Sequence, residues 1–289
     1  MADAVSILIL AHNKAAYTRR TLDALLLSSL RPFQAVLVNN GSTDETPEVF
    51  EAFRARAAGE RIGVEVLDLG ANQGAIVGRN EGMKRLNGDW WVFLDNDAVV
   101  RTKSWLERLR EVLKRDPKAG VVSPKLVYPL PPHDIQCAGG AVTTGGQVIF
   151  RGRGQPRTAP EFNAPRACQT LISACWMLRA GVAREIGPLD ERFSPVQFED
   201  IDYCYRIREA GYTCLYEPSV EMYHFENVTT GRTGALNYPY LTVKNGLKFK
   251  NKWKHRFAAE GGPADKDWKW AEIQTVTLEQ VPERLETLE

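Results

Sequence analysis

The chain is 289 residues long with a formal net charge of +1, and 44% of its residues are hydrophobic against 25% charged. That composition builds an ordinary globular core and excludes a disordered or fibrous architecture. Near-neutrality excludes a global field built for nucleic acid, and no stretch approaches the roughly 18 apolar residues that span a bilayer.

Met1-Ala2-Asp3 runs straight into Val5-Ser6-Ile7-Leu8-Ile9-Leu10, too short and too poor in basic residues for a signal peptide, which reads as a first core strand. After the polar loop Ala11-His12-Asn13-Lys14, a helix pattern carries Leu22, Leu25 and Leu26 on one face. Ala35 to Val38 is a second strand, broken by Asn39-Asn40-Gly41-Ser42-Thr43-Asp44, and Thr46-Pro47 starts a helix that buries Val49, Phe50 and Phe53. Val64 to Leu69 is a third strand. A loop with Gly70, Asn72 and Gly74 leads from it into a helix containing Arg79 and Asn80. Trp90-Trp91-Val92-Phe93-Leu94, apolar on both faces, predicts a central strand of a parallel sheet. Ser104 with Glu107 suggests a capping box for a helix burying Trp105, Leu109, Val112 and Leu113. The succession predicts an α/β fold with a doubly wound, mostly parallel central sheet, whose ligands bind at the carboxyl ends of the strands.

Residues 129–166, rich in Gly, Pro and Arg, predict an excursion with a hairpin around Gly145-Gly146. A strand over Cys168 to Leu178, a short helix through Gly181 to Ile186, a helix from Glu199 to Ala210 ended by Gly211, and a strand over Thr213 to Tyr216 follow. Lys244 to Arg256 holds six Lys/Arg and no acid, interleaved with Leu247, Phe249, Trp253 and Phe257. The acidic tail from Glu272 is either packed back on that basic segment or mobile. The five cysteines form no CxxC and no zinc-like cluster, which fits reduced, buried thiols in a cytoplasmic protein.

Asp95-Asn96-Asp97 places two carboxylates at the end of a buried strand. Such a pair is either a polar turn or a seat for a hard divalent cation such as Mg²⁺ or Mn²⁺. Phe198-Glu199-Asp200-Ile201-Asp202 opens a helix, where the acids are either macrodipole caps or include a general base. His224, between Tyr223 and Phe225, is either a packed residue or a ligand. Arg79, Asn80 and Gly82 follow a Gly-rich turn suited to a diphosphate or a base, or simply to capping. No GxxxxGK[ST] or GxSxG motif is present, which weakens ATPase and hydrolase readings.

Taken in order, these elements resemble the family 2 glycosyltransferases, in particular the rhamnosyltransferase-like branch. The resemblance rests on Ile9-Leu10-Ala11-His12-Asn13, Val38-Asn39-Asn40-Gly41-Ser42-Thr43-Asp44, Asn72-Gln73-Gly74 with Asn80-Glu81-Gly82, and Gly88-Asp89 through Asp97. Its most specific part is Gly187-Pro188-Leu189-Asp190-Glu191-Arg192-Phe193, followed by Phe198-Glu199-Asp200-Ile201-Asp202 and Gly211-Tyr212; together these motifs cover residues 5–230. The resemblance implies a GT-A fold over residues 1–240, with a nucleotide-sugar half at 1–100 and an acceptor half at 101–240. Residues 241–289 then form a basic segment and tail. It implies transfer with inversion from a UDP- or dTDP-sugar to a glycan or lipid-linked acceptor in cell-surface polysaccharide synthesis, with Mn²⁺ or Mg²⁺ as cofactor. Asp97 and His224 would hold the metal, Asp95 would contact it or the donor ribose, and Asp200 would be the base. Ala11, His12, Asn13, Asn39, Arg79 and Asn96 would border the donor, and Glu199 and Trp176 the acceptor side, although Trp176 also suits core packing. Family members often carry Pro and Thr in place of Leu10 and Ala11, and Asp in place of Asn39, whose carbonyl can still accept from a uracil or thymine N3–H. Residues 244–257 read as a solvated helix face, as a peripheral contact with the inner face of a membrane or, last given the near-neutral whole, as a nucleic-acid patch. A sugar nucleotidyltransferase and a non-catalytic carbohydrate-binding module are the rivals. The first lacks the expected Gly- and Arg-rich loop after strand one, and the second needs no paired carboxylates.

Overall fold

The computed structural model describes residues 3–226, 228 and 237–289. The first half alternates as its sequence pattern predicts: β1 (Val5–Ala11), α1 (Ala15–Leu25), β2 (Phe33–Asn39), α2 (Thr46–Ala57), β3 (Ile62–Asp68), α3 (Ala75–Met83) and β4 (Trp90–Leu94). There follow β5 (Ala98–Val100), α4 (Trp105–Arg115), β6 (Ala119–Val127), β7 (Ile135–Cys137), the hairpin β8 (Gly140–Val142) and β9 (Val148–Phe150), and β10 (Arg166–Cys168). The described chain continues through β11 (Cys175–Arg179), α5 (Ala180–Ile186), α6 (Glu199–Glu209), β12 (Thr213–His224) and α7 (Tyr238–Phe257).

One mixed sheet runs β10-β12-β6-β11-β4-β1-β2-β3, with β5 on β12 and β7 on β6. Its central strands β1, β2, β4, β6 and β11 are buried on both faces, which explains their continuous apolar runs, whereas the edge strands β3 and β10 are partly exposed. Ile7, Ile9, Ala35, Leu37, Val92 and Leu94 face the side covered by α1, α2 and α4, where Leu22, Phe50, Phe53, Trp105 and Leu109 pack. Leu8, Val36, Val38, Trp91 and Phe93 face the other side with Ile76 of α3, Ile201 and Tyr205 of α6, and Phe249, Trp253 and Phe257 of α7. Gly78 and Gly82, one turn apart, let α3 lie close on β1, since a Cβ at Gly82 would fall inside the Leu8 side chain.

The expectations are amended in four places. β4 is central but parallel only to β1; on its other side β11 runs antiparallel. The strand read over Cys168 to Leu178 is two strands, β10 and β11, separated by a loop that reaches the cavity described below. The Ser104–Glu107 capping box does not form, because the Ser104 hydroxyl and one Glu107 carboxylate oxygen are buried without a partner. The acidic tail packs not on the basic helix but on the opposite flank, where Leu288 N–H donates to Arg101 O (2.6 Å), Lys103 N–H donates to Leu288 O (2.8 Å) and Arg101 pairs with Glu286 (3.2 Å). The basic helix has other acids to hand: Lys252 meets Asp190 and Asp202, and Arg256 meets Glu260. All five cysteines are free and buried. Among the described residues no helix is long and apolar enough to cross a membrane.

Candidate active site

A cavity of about 1150 Å³ opens at the carboxyl ends of β1, β2 and β4, with His12, Asn40 and Asp95 to Asp97 on its wall. This is the crevice an open α/β sheet offers to ligands. The second half completes the lining with Ser173 and Ala174 before β11, Phe198 to Ile201 at the start of α6, and His224 at the end of β12.

Sheet register brings together groups far apart in the chain. After the Asp95 turn the chain re-enters the sheet as β5, antiparallel to β12, with Ala98 opposite His224. Phe225 N–H closes the junction by donating to Asp97 O at 3.2 Å. His224 Nε2 therefore stands 3.2 Å from Asp97 Oδ1 and 3.9 Å from Asp95 Oδ2. The other ring nitrogen, Nδ1, donates to Gln136 Oε1 at 2.7 Å, which turns Nε2 towards the carboxylates. Burial opposes a charged imidazole, but Asp97 outweighs it and raises the His224 pKa to about 9. One ligand atom from each of Asp95, Asp97 and His224 lies within 4.8 Å of the others. Two carboxylates and an oriented imidazole are a donor set that suits Mn²⁺ or Mg²⁺.

Arg79, on α3, links the two acidic motifs. Its guanidinium contacts Asp95 Oδ1 on one side, and Glu199 Oε1 and Ser173 Oγ, both at 3.1 Å, on the other. Burial disfavours its charge, yet Asp95 and Glu199 together hold its pKa above the ordinary value. Burial pushes the Glu199 carboxyl up to about 7, with the Asp200 charge adding to the rise. Asp200 is raised by burial too, offset in part by N–H donation from Ser173 (3.2 Å) and Ile201 (2.8 Å). Among the described residues no cation pairs directly with Asp200, so its carboxylate faces the cavity held by backbone N–H groups. Asp202, two residues on, is fully buried and bound by Trp253 Nε1 and Lys252 Nζ, each at 2.7 Å.

The residues expected to border the donor divide into two groups. His12, Arg79, Asp95 and Asn96 line the cavity, although the Asn96 amide is turned towards α1 and donates to Thr18 Oγ1 at 3.0 Å. Ala11, Asn13 and Asn39 stand behind the wall and shape it. Ala11 O accepts from Asn40 N–H, Asn13 Oδ1 accepts from Thr43 N–H, and Asn39 uses both ends of its amide, accepting from Ser42 N–H and donating to Asp68 Oδ2. Trp176 corrects the expectation of acceptor stacking: it is fully buried on β11 against Phe93 and Tyr203 and does not reach the cavity. Glu199 reaches the cavity, but its carboxylate is engaged by Arg79. Sequence reasoning missed Asn40, whose amide ties Asn72, Gly74 O and Gln73 N–H to the cavity wall. Asn40 lay inside a motif already singled out. Gln136, a lone glutamine in an irregular stretch, gave no signal at all.

The family model for glycosyl transferase family 2 matches residues 6–187. The chain belongs to that family. This family 2 glycosyltransferase is 28% identical over 257 residues to an N-acetylglucosaminyl-diphospho-decaprenol L-rhamnosyltransferase of Mycobacterium tuberculosis, covering 81% of this chain and 80% of the relative. That agrees with the rhamnosyltransferase-like branch. It is 29% identical over 231 residues to the O-antigen biosynthesis protein RfbC of Myxococcus xanthus, covering 78% of this chain but 17% of that protein. Among solved structures it resembles GalNAc-T7 with UDP, GalNAc and Mn²⁺ at a TM-score of 0.70 and 17% identity, covering 88% of this chain and 49% of the other. The likeness supports the GT-A fold. The family 2 glycosyltransferase is thus an enzyme of glycan synthesis whose Asp95–Asp97 turn lies at the ligand-binding edge of the sheet.

Proposed function

We propose that the protein is an inverting, divalent-metal-dependent glycosyltransferase that moves a sugar from a UDP- or dTDP-sugar to a hydroxyl of a lipid-linked glycan acceptor. The observation that carries the reading is that Asp95, Asp97 and His224 converge on one wall of the cavity that Asp200 enters from another element. Asp97 and His224 would hold Mn²⁺ or Mg²⁺, with Asp95 contacting it or the donor ribose; when bound, the ion neutralises charge developing on the departing nucleoside diphosphate. The work of the chain itself is positioning and proton transfer. His12, Asn40 and the Gly70–Gly74 turn frame the donor end. Asp200 Oδ, raised above the ordinary carboxylate range by burial, takes the acceptor proton as its oxygen attacks the anomeric carbon from the face opposite the leaving group. Arg79 keeps the two acidic motifs in register and limits their mutual repulsion.

Two named proteins support the finer points: the mycobacterial relative is named for a decaprenol-linked sugar, and the GalNAc-T7 structure contains UDP and Mn²⁺. Such an acceptor suits work at the inner face of a membrane. The test is a thermal-shift series with UDP, dTDP, GDP and their sugar conjugates, each with and without Mn²⁺. Stabilisation by a uridine or thymidine diphosphate only when Mn²⁺ is present is expected. Equal stabilisation with and without the ion overturns the metal role, and preference for a purine diphosphate overturns the donor assignment.

A further inference from the structure

The basic helix α7 has two very different faces. One is core: Leu241, Phe249, Trp253 and Phe257 are buried, and Asn245 donates to the carbonyls of Phe193, Val196 and Gln197. On the other, Tyr240, Val243 and Leu247 are 58%, 64% and 57% exposed. Their spacing of three and four residues makes them one stripe on the helix surface. Five large hydrophobic residues are exposed among the described residues, and the other two, Trp270 and Leu130, are less open at 47% and 41%. Val243, Leu247 and Trp270 also line the cavity, so the apolar surface borders the mouth of the active site.

The charges on α7 divide in the same way. Lys252 and Arg256 are paired with acids, and Lys248 donates to Arg192 O. Lys244, Lys250 and Lys254 form no ion pair among the described residues, and Lys244 lies over the Tyr240 ring at 5.8 Å. The helix contains no acid from Tyr238 to Phe257. An open apolar stripe flanked by unpaired lysines, on a helix whose reverse face is fixed in the core, suits an interface of acyl chains beneath anionic headgroups.

We infer that the Tyr240–Val243–Leu247 stripe of α7, with Lys244 and Lys254 beside it, docks on an anionic lipid bilayer and turns the cavity mouth towards it. The inference deepens the lipid-linked acceptor reading and rests on it for its purpose. Tyr240 and Leu247 enter the headgroup layer, and the lysine stems lie along the apolar surface with their ammonium groups at the phosphates. An acceptor sugar held at the headgroup level then meets the cavity from the side that Val243 and Leu247 border.

The test is co-sedimentation of the full chain with vesicles of phosphatidylcholine alone and of phosphatidylcholine mixed with phosphatidylglycerol, at low and high salt. Binding to the anionic vesicles, weakened by salt, is expected, with Tyr240→Asp/Lys244→Glu lowering it by about tenfold or more. The milder Tyr240→Ser, whose fold is checked by circular dichroism, should lose part of the binding. Both residues lie outside the cavity wall, so turnover on a water-soluble acceptor should be unchanged. No binding to anionic vesicles, equal binding to neutral ones, or full binding by both variants overturns the inference. The nucleotide and Mn²⁺ thermal shift needs no lipid: a chain that passes it but ignores vesicles loses only the docking surface, whereas one that binds vesicles but no nucleotide loses the transferase reading.

Discussion

The turn Asp95–Asp97 and the helix start Glu199–Asp202 both concentrate carboxylates at the cavity, yet their surroundings differ. In the turn, both acids face an imidazole nitrogen, and Asp95 also meets Arg79, so every negative charge has a cationic or metal-ligating group beside it. In the helix the three acids are separated by helical geometry. Glu199 points to Arg79, Asp200 is held by backbone N–H groups, and Asp202 points back into the core to Lys252 and Trp253. The first region is a cluster that suits a cation. The second leaves one carboxylate without a direct cation contact, which keeps its basicity from being lowered and so suits a proton acceptor.

Four substitutions break or sharpen this contrast. Asp200→Asn removes the isolated carboxylate with little change of shape. Transfer should fall by about 10²-fold or more while donor-dependent thermal stabilisation persists, and near-normal turnover would mean that another group is the base. Asp97→Ala should instead abolish the Mn²⁺-dependent part of that stabilisation, measured in the same assay; retention of the ion effect would break the assignment of the turn. Asp202→Asn separates structure from chemistry. It weakens the contacts that Asp202 makes with half-buried Lys252 and buried Trp253, so stability should drop by about 1–3 kcal/mol in denaturant unfolding, with kcat close to that of the parent protein. A large kcat loss at unchanged stability would place Asp202 in the reaction.

The smallest effect is in pH dependence. Asp200 must be ionised to accept a proton, so kcat/KM should rise with pH through a pKa above the ordinary carboxylate range. Glu199→Gln removes a neighbouring negative charge and should move that acid limb to lower pH. The same substitution has a stability signature. The Glu199 carboxyl, raised to about 7, holds its proton more tightly folded than unfolded, so its contribution falls as pH rises from its ordinary pKa of 4.5 towards 7. The glutamine variant should flatten that fall, and an unchanged pH–stability curve would show that the Glu199 carboxyl titrates normally.

Much of the first half was legible because its signals are local. Strands apolar on both faces, Pro47 at a helix start and polar loops at strand ends each depend on a few adjacent residues, and Asp95 and Asp97 were named on such grounds, whereas Asp200 and His224 were singled out as base and ligand by the family resemblance. Trp176 was not so decidable: an aromatic among apolar neighbours reads the same on a strand facing the core as on one facing a cleft. The Ser104–Glu107 motif failed for a similar reason, since spacing permits a capping box but packing decides whether the side chains reach. In the basic segment, composition showed that cations and aromatics alternate. Which cations meet Asp190, Asp202 and Glu260, and which apolar residues remain open, depends on the rotation of α7 against the core.

By itself, then, the sequence determined the alternating α/β architecture, the family, and the acidic residues at the cavity, because periodicity and short motifs are written within a few residues of one another. Only the tertiary structure decided how they combine. The pairing of β5 with β12 sets His224 beside Asp97, and Arg79 spans from α3 to both acidic motifs. The apolar side of α7 at the cavity mouth was settled there too. Each of these contacts joins segments distant in the chain, and register and packing, which close them, leave no local mark.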